Sequence, residues 1–154
     1  MTYEVSQVQE PGRNLLAVER TATLKGLGPV FMESFETVDA HLKSHNVTGT
    51  GHRVGFYKNV RMEDGDMTFD CVIGVEVPQD TPEGDGVKLR QTPPGPAATA
   101  AYYGDYSDMH AVHEAIQQWC EAHGRKYGDN WEVYGEWNDD PAKRRTDVFY
   151  ELKP

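Results

Sequence analysis

The sequence predicts an α+β fold in which a unit of strand, helix, strand and strand occurs twice. Three observations carry this. Apolar residues recur at helical spacing in two separate stretches, each stretch is followed by two strand-like runs, and the two halves align on one another. A chain of 154 residues is the length of one compact domain and buries a real core. The reading is therefore one domain over 1–154, with repeat one at about 3–78, a connector at about 79–95 and repeat two at about 96–153.

Leu15-Leu16-Ala17-Val18, within Arg13 to Glu19, reads as a short apolar strand. A helix follows, with Pro29 in its first turn, where a missing amide costs nothing. Its apolar face is Phe31, Phe35, Val38 and Leu42, at spacings of four, three and four. Gly49 and Gly51 mark its exit. Arg53 to Tyr57 and Phe69 to Val77 then form a strand pair joined through the turn signal Glu63-Asp64-Gly65-Asp66. Pro78 to Pro96 is rich in Pro, Gly, Asp and Thr, interrupted by Val87-Lys88-Leu89, which reads as an extra edge strand. Ala97 to Tyr103 opens the second half, followed by a helix capped by Ser107. That helix has Met109, Val112, Ile116 and Trp119 on one face and Gly124 at the position of a left-handed cap. Asn130 to Asn138 and Asp147 to Leu152 close the chain, joined by Asp139-Asp140-Pro141.

Laying Tyr57 on Tyr134 places Val54, Gly55 and Phe56 on Trp131, Glu132 and Val133, with Asp70 near Asp147. Glycine in one half thus stands where the other half has glutamate. Alternation along the strands gives each side chain a face. On that count Trp131, Val133, Gly135 and Trp137 lie under the helices with Cys71, Ile73, Val75, Val148, Tyr150 and Leu152. Glu132, Tyr134 and Glu136 lie on the opposite face with Gly55, Tyr57, Asp70, Val72, Asp147 and Phe149. An aromatic and acidic face, emptied in places by glycine, is the setting of a small-molecule site.

Charge and composition narrow the function. With 15 Lys and Arg against 25 Asp and Glu, the net charge is −10, which repels a phosphate backbone and favours cationic partners. The densest basic run, Lys143-Arg144-Arg145, sits beside Asp139 and Asp140 and reads as a solvated loop. No basic leader precedes an apolar run, and no segment has the length of a membrane span. A cytoplasmic protein is expected, and Cys71 and Cys120, both lone, read as structural thiols of a reducing compartment. His110 and His113 are three apart on a helix but lack the further ligands of a metal site, so neither metal nor cofactor is expected. Phosphate-cradling and serine-nucleophile glycine motifs are absent from the sequence.

Several residues in order resemble the gyrase-inhibitor-like (GyrI-like) effector-binding domain: Tyr103-Gly104-Asp105-Tyr106 ahead of a helix, Trp119 to Gly124, Trp131-Glu132-Val133-Tyr134, Asn138-Asp139-Asp140-Pro141 and Thr146-Asp147-Val148. In the first half, Tyr3-Glu4-Val5, Gly55-Phe56-Tyr57 and Gly74-Val75-Glu76-Val77 resemble the other repeat of that family. The resemblance implies a curved antiparallel sheet of two pseudo-symmetric βαββ repeats, with helices on the convex face and a ligand cleft on the concave face. It also implies that Glu132, in the Glu-x-Tyr strand, contacts lipophilic cations with Tyr134 as its partner. Asp147 departs from the pattern, which more commonly has glutamate after threonine.

The expected function is thus that of a stand-alone binding protein for hydrophobic, cationic aromatic compounds, with Glu132 as counter-ion. Tyr134, Tyr57, Gly55, Tyr102, Tyr103, Tyr106 and Phe149 line the site, one of Tyr102 and Tyr103 facing the ligand because the two alternate. No helix-turn-helix is read ahead of the first strand, so direct binding to nucleic acid is not expected. The resemblance also implies two alternatives: a hydrolase of electrophilic cyclopropane-bearing compounds using Glu132 as general base, or an inhibitor of a protein partner such as DNA gyrase.

Overall fold

The computed structural model describes residues 3–154. Eight strands and two helices follow in the order β1 (Ser6–Glu10), β2 (Asn14–Thr23), α1 (Leu27–Ser44), β3 (Arg53–Glu63), β4 (Asp66–Glu76), β5 (Lys88–Gln91), β6 (Gly95–Tyr103), α2 (His110–Ala122), β7 (Lys126–Tyr134) and β8 (Arg145–Lys153), with a 3₁₀ turn at Pro141–Lys143. The α+β class, the antiparallel pairing and the repeated βαββ order are as the sequence predicts.

The chain divides into two compact units, one of Arg13–Thr92 and one of Met1–Gly12 with Pro93–Pro154. In the first, the strand order is β3-β4-β2-β5, with α1 on one face. In the second it is β1-β6-β8-β7, with α2 on one face. The strand that leads each repeat therefore pairs outside its own repeat. β1 pairs with β6, Ser6 opposite Thr99 and Glu10 opposite Gly95, while β5 pairs with β2. The sequence placed residues 3–12 in repeat one and had no strand for β1, whose Ser-Gln-Val-Gln-Glu run is too polar to announce one.

Local signals explain most elements. Asp64 and Gly65 both have positive φ, 51° and 80°, and close the β3–β4 hairpin as a two-residue turn whose twist suits the strands. Pro29 lies in the first turn of α1, and Gly124 takes φ 63° just beyond α2. Ser107 does not cap α2. Its amide and hydroxyl bond the Asp105 carboxylate in the preceding turn, which holds that carboxyl below its ordinary range, and the helix begins three residues later without a side-chain cap. β7 begins and ends four residues earlier than the sequence suggests, since a register shift between Tyr127 and Asn130 lets Gly128 and Asp129 bulge within it.

Each unit has its own helix-side core. Leu16, Val18, Val75 and Val77 meet Val38 and Leu42 of α1, and Ala98, Ala100, Val148, Tyr150 and Leu152 meet Val112, Ile116 and Cys120 of α2. The other face of the strands is buried as well: Leu15, Ala17, Val54, Phe56 and Val72 in one unit, Trp131, Val133 and Phe149 in the other. Cys71 and Cys120 are free and buried, and burial pushes the Cys71 thiol up to about 12, which leaves it inert as a nucleophile. No helix among the described residues is long and apolar enough to cross a membrane.

Gly74 leaves no room for a side chain. It lies opposite Ala17, and a Cβ there would stand 2.2 Å from the Leu16 carbonyl oxygen and 2.7 Å from the Ala17 Cβ. Gly74→Ala is expected to destabilise the protein by about 1–3 kcal/mol, the cost of overpacking. Equilibrium denaturation in urea checks this, and an unchanged midpoint would show that β2 yields without cost.

Candidate functional site

Register decides which way the candidate side chains point. Glu132 is opposite Val148 and Tyr134 is opposite Thr146, and cross-strand partners share a face. Val148 belongs to the core beneath α2, so Glu132 and Tyr134 face the helix, not away from it as strand alternation had suggested. Gly55 and Tyr57 likewise face α1, being opposite Ile73 and Cys71. Trp131 and Val133 take the other face, where Trp131 stacks on Phe149 with ring centroids 5.5 Å apart and planes 6° apart. The error has a physical cause. Strands apolar on both faces carry no alternation signal that says which face a helix covers.

Beneath α2, Glu132 is the centre of a polar chain. The residue is 7% exposed. Tyr134 donates its hydroxyl to Glu132 Oε1 at 2.6 Å, and His113 Nε2 lies 2.7 Å from Oε2. On the far side of the imidazole, Nδ1 lies 2.7 Å from the Tyr150 hydroxyl, to which Gln117 Nε2 donates at 3.0 Å. His113 and Gln117, one helical turn apart, border the apolar stripe of α2 and reach the strands from its edge. Burial pushes the Tyr150 hydroxyl well above the ordinary phenol range, beyond what the Gln117 hydrogen bond restores.

An aromatic rim continues from this chain. Tyr106 meets Tyr134 edge-on at 5.6 Å and Trp137 at 6.3 Å. The Arg144 guanidinium lies 3.7 Å from the centre of the Trp137 ring and 5.8 Å from that of Tyr106, and its Nε donates to the Asn138 carbonyl at 2.7 Å. Trp137 itself is 64% exposed, beyond the end of β7 and not under the helix.

The structure thus brings Glu132, Tyr134 and Tyr106 together, while three other candidates in the same unit make contacts of their own. Tyr102 lies in the core beneath α2 with its hydroxyl donated to the Asp105 carbonyl at 2.8 Å, and Tyr103 lies on the opposite face beside Arg145. Phe149 is also on that opposite face. In the other unit Tyr57 is a core residue, stacked on Phe31 of α1 at 6.1 Å and edge-on to Phe69 at 5.4 Å. Where one unit sets Glu132 beneath its helix, the other has Gly55 with aromatic packing beside it.

Sequence reasoning missed His113, Gln117 and Tyr150 as partners of Glu132. Their signal was there: polar side chains at the edge of an apolar helical stripe, facing a strand that carries an acid. His110 and His113 do not act together, because His110 is exposed and pairs with Glu114 at 3.2 Å while His113 turns inward. Among the described residues no group of three or more His, Cys, Asp and Glu could hold a metal ion. Asp147 pairs with Arg145 at 3.0 Å.

Two open hollows lie elsewhere. One of about 300 Å³ is lined by Glu19, Lys58, Asn59 and Asp70. Its Asp70 carboxylate already accepts hydrogen bonds from Asn59, Thr21 and Arg61, which hold it below its usual range. The other, of about 500 Å³, lies between the Tyr3 and Val5 side chains and the outer side of α2. Neither contains a buried charge comparable to Glu132.

With the fold and the site in place, the model of the GyrI-like small molecule binding domain is found to match residues 3–153. The chain belongs to the GyrI-like family of small-molecule-binding domains. Solved structures share the GyrI-like fold over nearly the whole chain. The C-terminal domain of EcmrR superposes with a TM-score of 0.81 at 13% identity, covering 99% of each chain. A hydrolase from Listeria innocua gives 0.68 at 16%, covering 99% of this chain and 93% of that one. SAV2435 bound to tetraphenylphosphonium gives 0.54 at 9%, covering 99% and 94%. At such identities the likeness is one of fold. No curated protein matches the chain.

The Tyr150 hydroxyl supplies a pH test of this GyrI-like site. Its folded pKa lies above the value of roughly 10 expected for an unfolded chain. The neutral hydroxyl is therefore what the fold stabilises. That contribution is complete below about pH 10 and is lost as pH rises through the folded value. In an alkaline titration followed by tyrosinate absorbance, Tyr150→Phe is expected to remove a late-ionising component. Removal of an early one would contradict the burial.

Proposed function

We propose that this GyrI-like domain binds hydrophobic, cationic aromatic compounds, with Glu132 as counter-ion and Tyr134 and Tyr106 as aromatic walls. The observation that carries the reading is a buried glutamate, 7% exposed, held by hydroxyl and imidazole groups beside an aromatic rim. A delocalised organic cation is weakly hydrated, so it enters such a site at low desolvation cost, and each aromatic face adds about 0.5–2 kcal/mol. The rim already accommodates a cation of the protein's own, since the Arg144 guanidinium lies over Trp137 and Tyr106. The tetraphenylphosphonium carried by SAV2435 is of the same chemical class. Gly55, Tyr57, Tyr102, Tyr103 and Phe149 are secondary candidates, since their contacts within their own units are those of packing or of a surface pair.

Calorimetric titration with tetraphenylphosphonium tests this. The wild-type chain is expected to bind saturably, and Glu132→Gln to weaken binding at least tenfold, about 1.4 kcal/mol, with the neutral triphenylphosphine oxide unaffected. Equal affinity in the variant would remove Glu132 as counter-ion, and no wild-type binding would remove the reading altogether.

A second reading rests on the proton-bearing groups beside Glu132. A carboxylate within 2.7 Å of an imidazole and a phenol has the partners of a general base, and the Listeria innocua hydrolase shares the fold. On this reading the protein hydrolyses electrophilic cyclopropane-bearing compounds with water activated by Glu132. Mass spectrometry of such a compound incubated with the protein is expected to show the water adduct, and Glu132→Gln to abolish it. Equal product with and without protein would end this reading.

A further inference from the structure

We infer that Thr146, whose hydroxyl is buried without a hydrogen-bond partner, is a further ligand-binding residue of the Glu132 site and fits that site to aromatic cations that also carry a hydroxyl or carbonyl group; this rests on Glu132 being the counter-ion. The register places it. Thr146 of β8 stands opposite Tyr134 of β7 on one side and opposite Tyr102 of β6 on the other, and cross-strand partners share a face. Tyr102 and Tyr134 both lie on the helix side of their strands, so the three side chains form one row beneath α2. Glu132 belongs to the next row, opposite Val148, which makes it a diagonal neighbour of Thr146 at roughly 7–8 Å between Cα atoms.

Thr146 is 0% exposed, and its Oγ1 has no hydrogen-bond partner among the described residues. The other buried threonines are each satisfied. Thr68 donates to the Asp66 carbonyl at 3.2 Å, Thr81 donates to the Pro78 carbonyl at 2.7 Å, and Thr92 accepts from the Arg13 amide at 2.8 Å. The phenols flanking Thr146 give their protons elsewhere, Tyr134 to Glu132 Oε1 and Tyr102 to the Asp105 carbonyl. A hydroxyl taken from water without a new partner destabilises the fold, and valine has the same shape without that cost. What the hydroxyl retains is one proton to donate and lone pairs to accept. It also lies close to the rim in the chain: Tyr106 meets its row at Tyr134, edge-on at 5.6 Å, and Arg144, two residues before Thr146, lies over Trp137. A compound that takes the place of Tyr106 against Tyr134 meets this row with its charge toward Glu132 and a hydroxyl or carbonyl toward Thr146. A purely hydrocarbon cation leaves the Thr146 hydroxyl unbonded; one carrying an oxygen satisfies it.

Two cations of equal size separate the hydroxyl from the charge: 4-hydroxymethylphenyl-triphenylphosphonium and 4-ethylphenyl-triphenylphosphonium, in which a hydroxyl replaces a methyl. In calorimetric titrations of the full chain, Thr146→Val is expected to shift the ratio of the two affinities about fivefold toward the ethyl compound, the worth of one neutral hydrogen bond. Thr146→Ser keeps the hydroxyl and is expected to shift the ratio less than about twofold. Without any ligand, Thr146→Val is expected to raise the midpoint of urea denaturation, since it removes a buried group that bonds nothing. A midpoint at or below that of wild type, an unshifted ratio in Thr146→Val, or an equal shift in Thr146→Ser overturns the inference while leaving Glu132 as counter-ion. A wild-type chain that binds neither cation overturns both.

Discussion

A carboxylate buried beneath a helix must be hydrogen-bonded, and the arrangement of α2, β7 and β8 follows from meeting that need at Glu132. Removing a charge from water costs several kcal/mol unless donors replace the solvent. Tyr134 supplies one from two residues along the same strand, and His113 supplies another from the helix above. The imidazole must then be oriented, which Tyr150 does, and the phenol must in turn be satisfied, which Gln117 does. A charge on one strand is thereby tied to the second turn of a helix and to the neighbouring strand. The sequence of partners leaves little freedom to move one member without unsatisfying the next.

The duplicated unit shows what this costs by dispensing with it. Beneath α1 the position corresponding to Glu132 is Gly55, and Phe31 and Phe35 supply aromatic volume, with Tyr57 stacked against Phe31. That unit is held by apolar burial, which asks only for volume and shape. Two copies of one topology have thus divided labour, one keeping a polar chain and the other a conventional core.

The sequence was legible where local chemistry is decisive. Asp64-Gly65 fixes a hairpin, Phe35, Val38 and Leu42 fix a helix face, and Glu132-x-Tyr134 marks an acid beside an aromatic. It was illegible where a face or a pairing depends on distant chain. Trp131 and Val133 are as apolar as a helix-covered row must be, yet the register with Phe149 and Asp147 sends them to the other face. Glu132, read as pointing away from the helices, lies beneath one. His113 was considered only as a metal partner of His110 and set aside, because sequence spacing does not reveal that one ring is exposed and the other turned inward to Glu132. Tyr150 and Gln117 carried no signal until β8 was placed beside β7. The polar strand β1 escaped notice because only its partner β6 makes it a strand.

The exchange of leading strands has a consequence for how the chain divides. β1 precedes the first repeat but completes the sheet of the second, and β5 precedes the second but completes the sheet of the first. Severing the polypeptide in the stretch before β5 would leave each fragment carrying an edge strand that belongs to the other. The halves of this molecule are alike in plan, yet the start of β5 is not the seam between them: one compact unit runs unbroken from Arg13 to Thr92, and the other is stitched from the chain on either side of it.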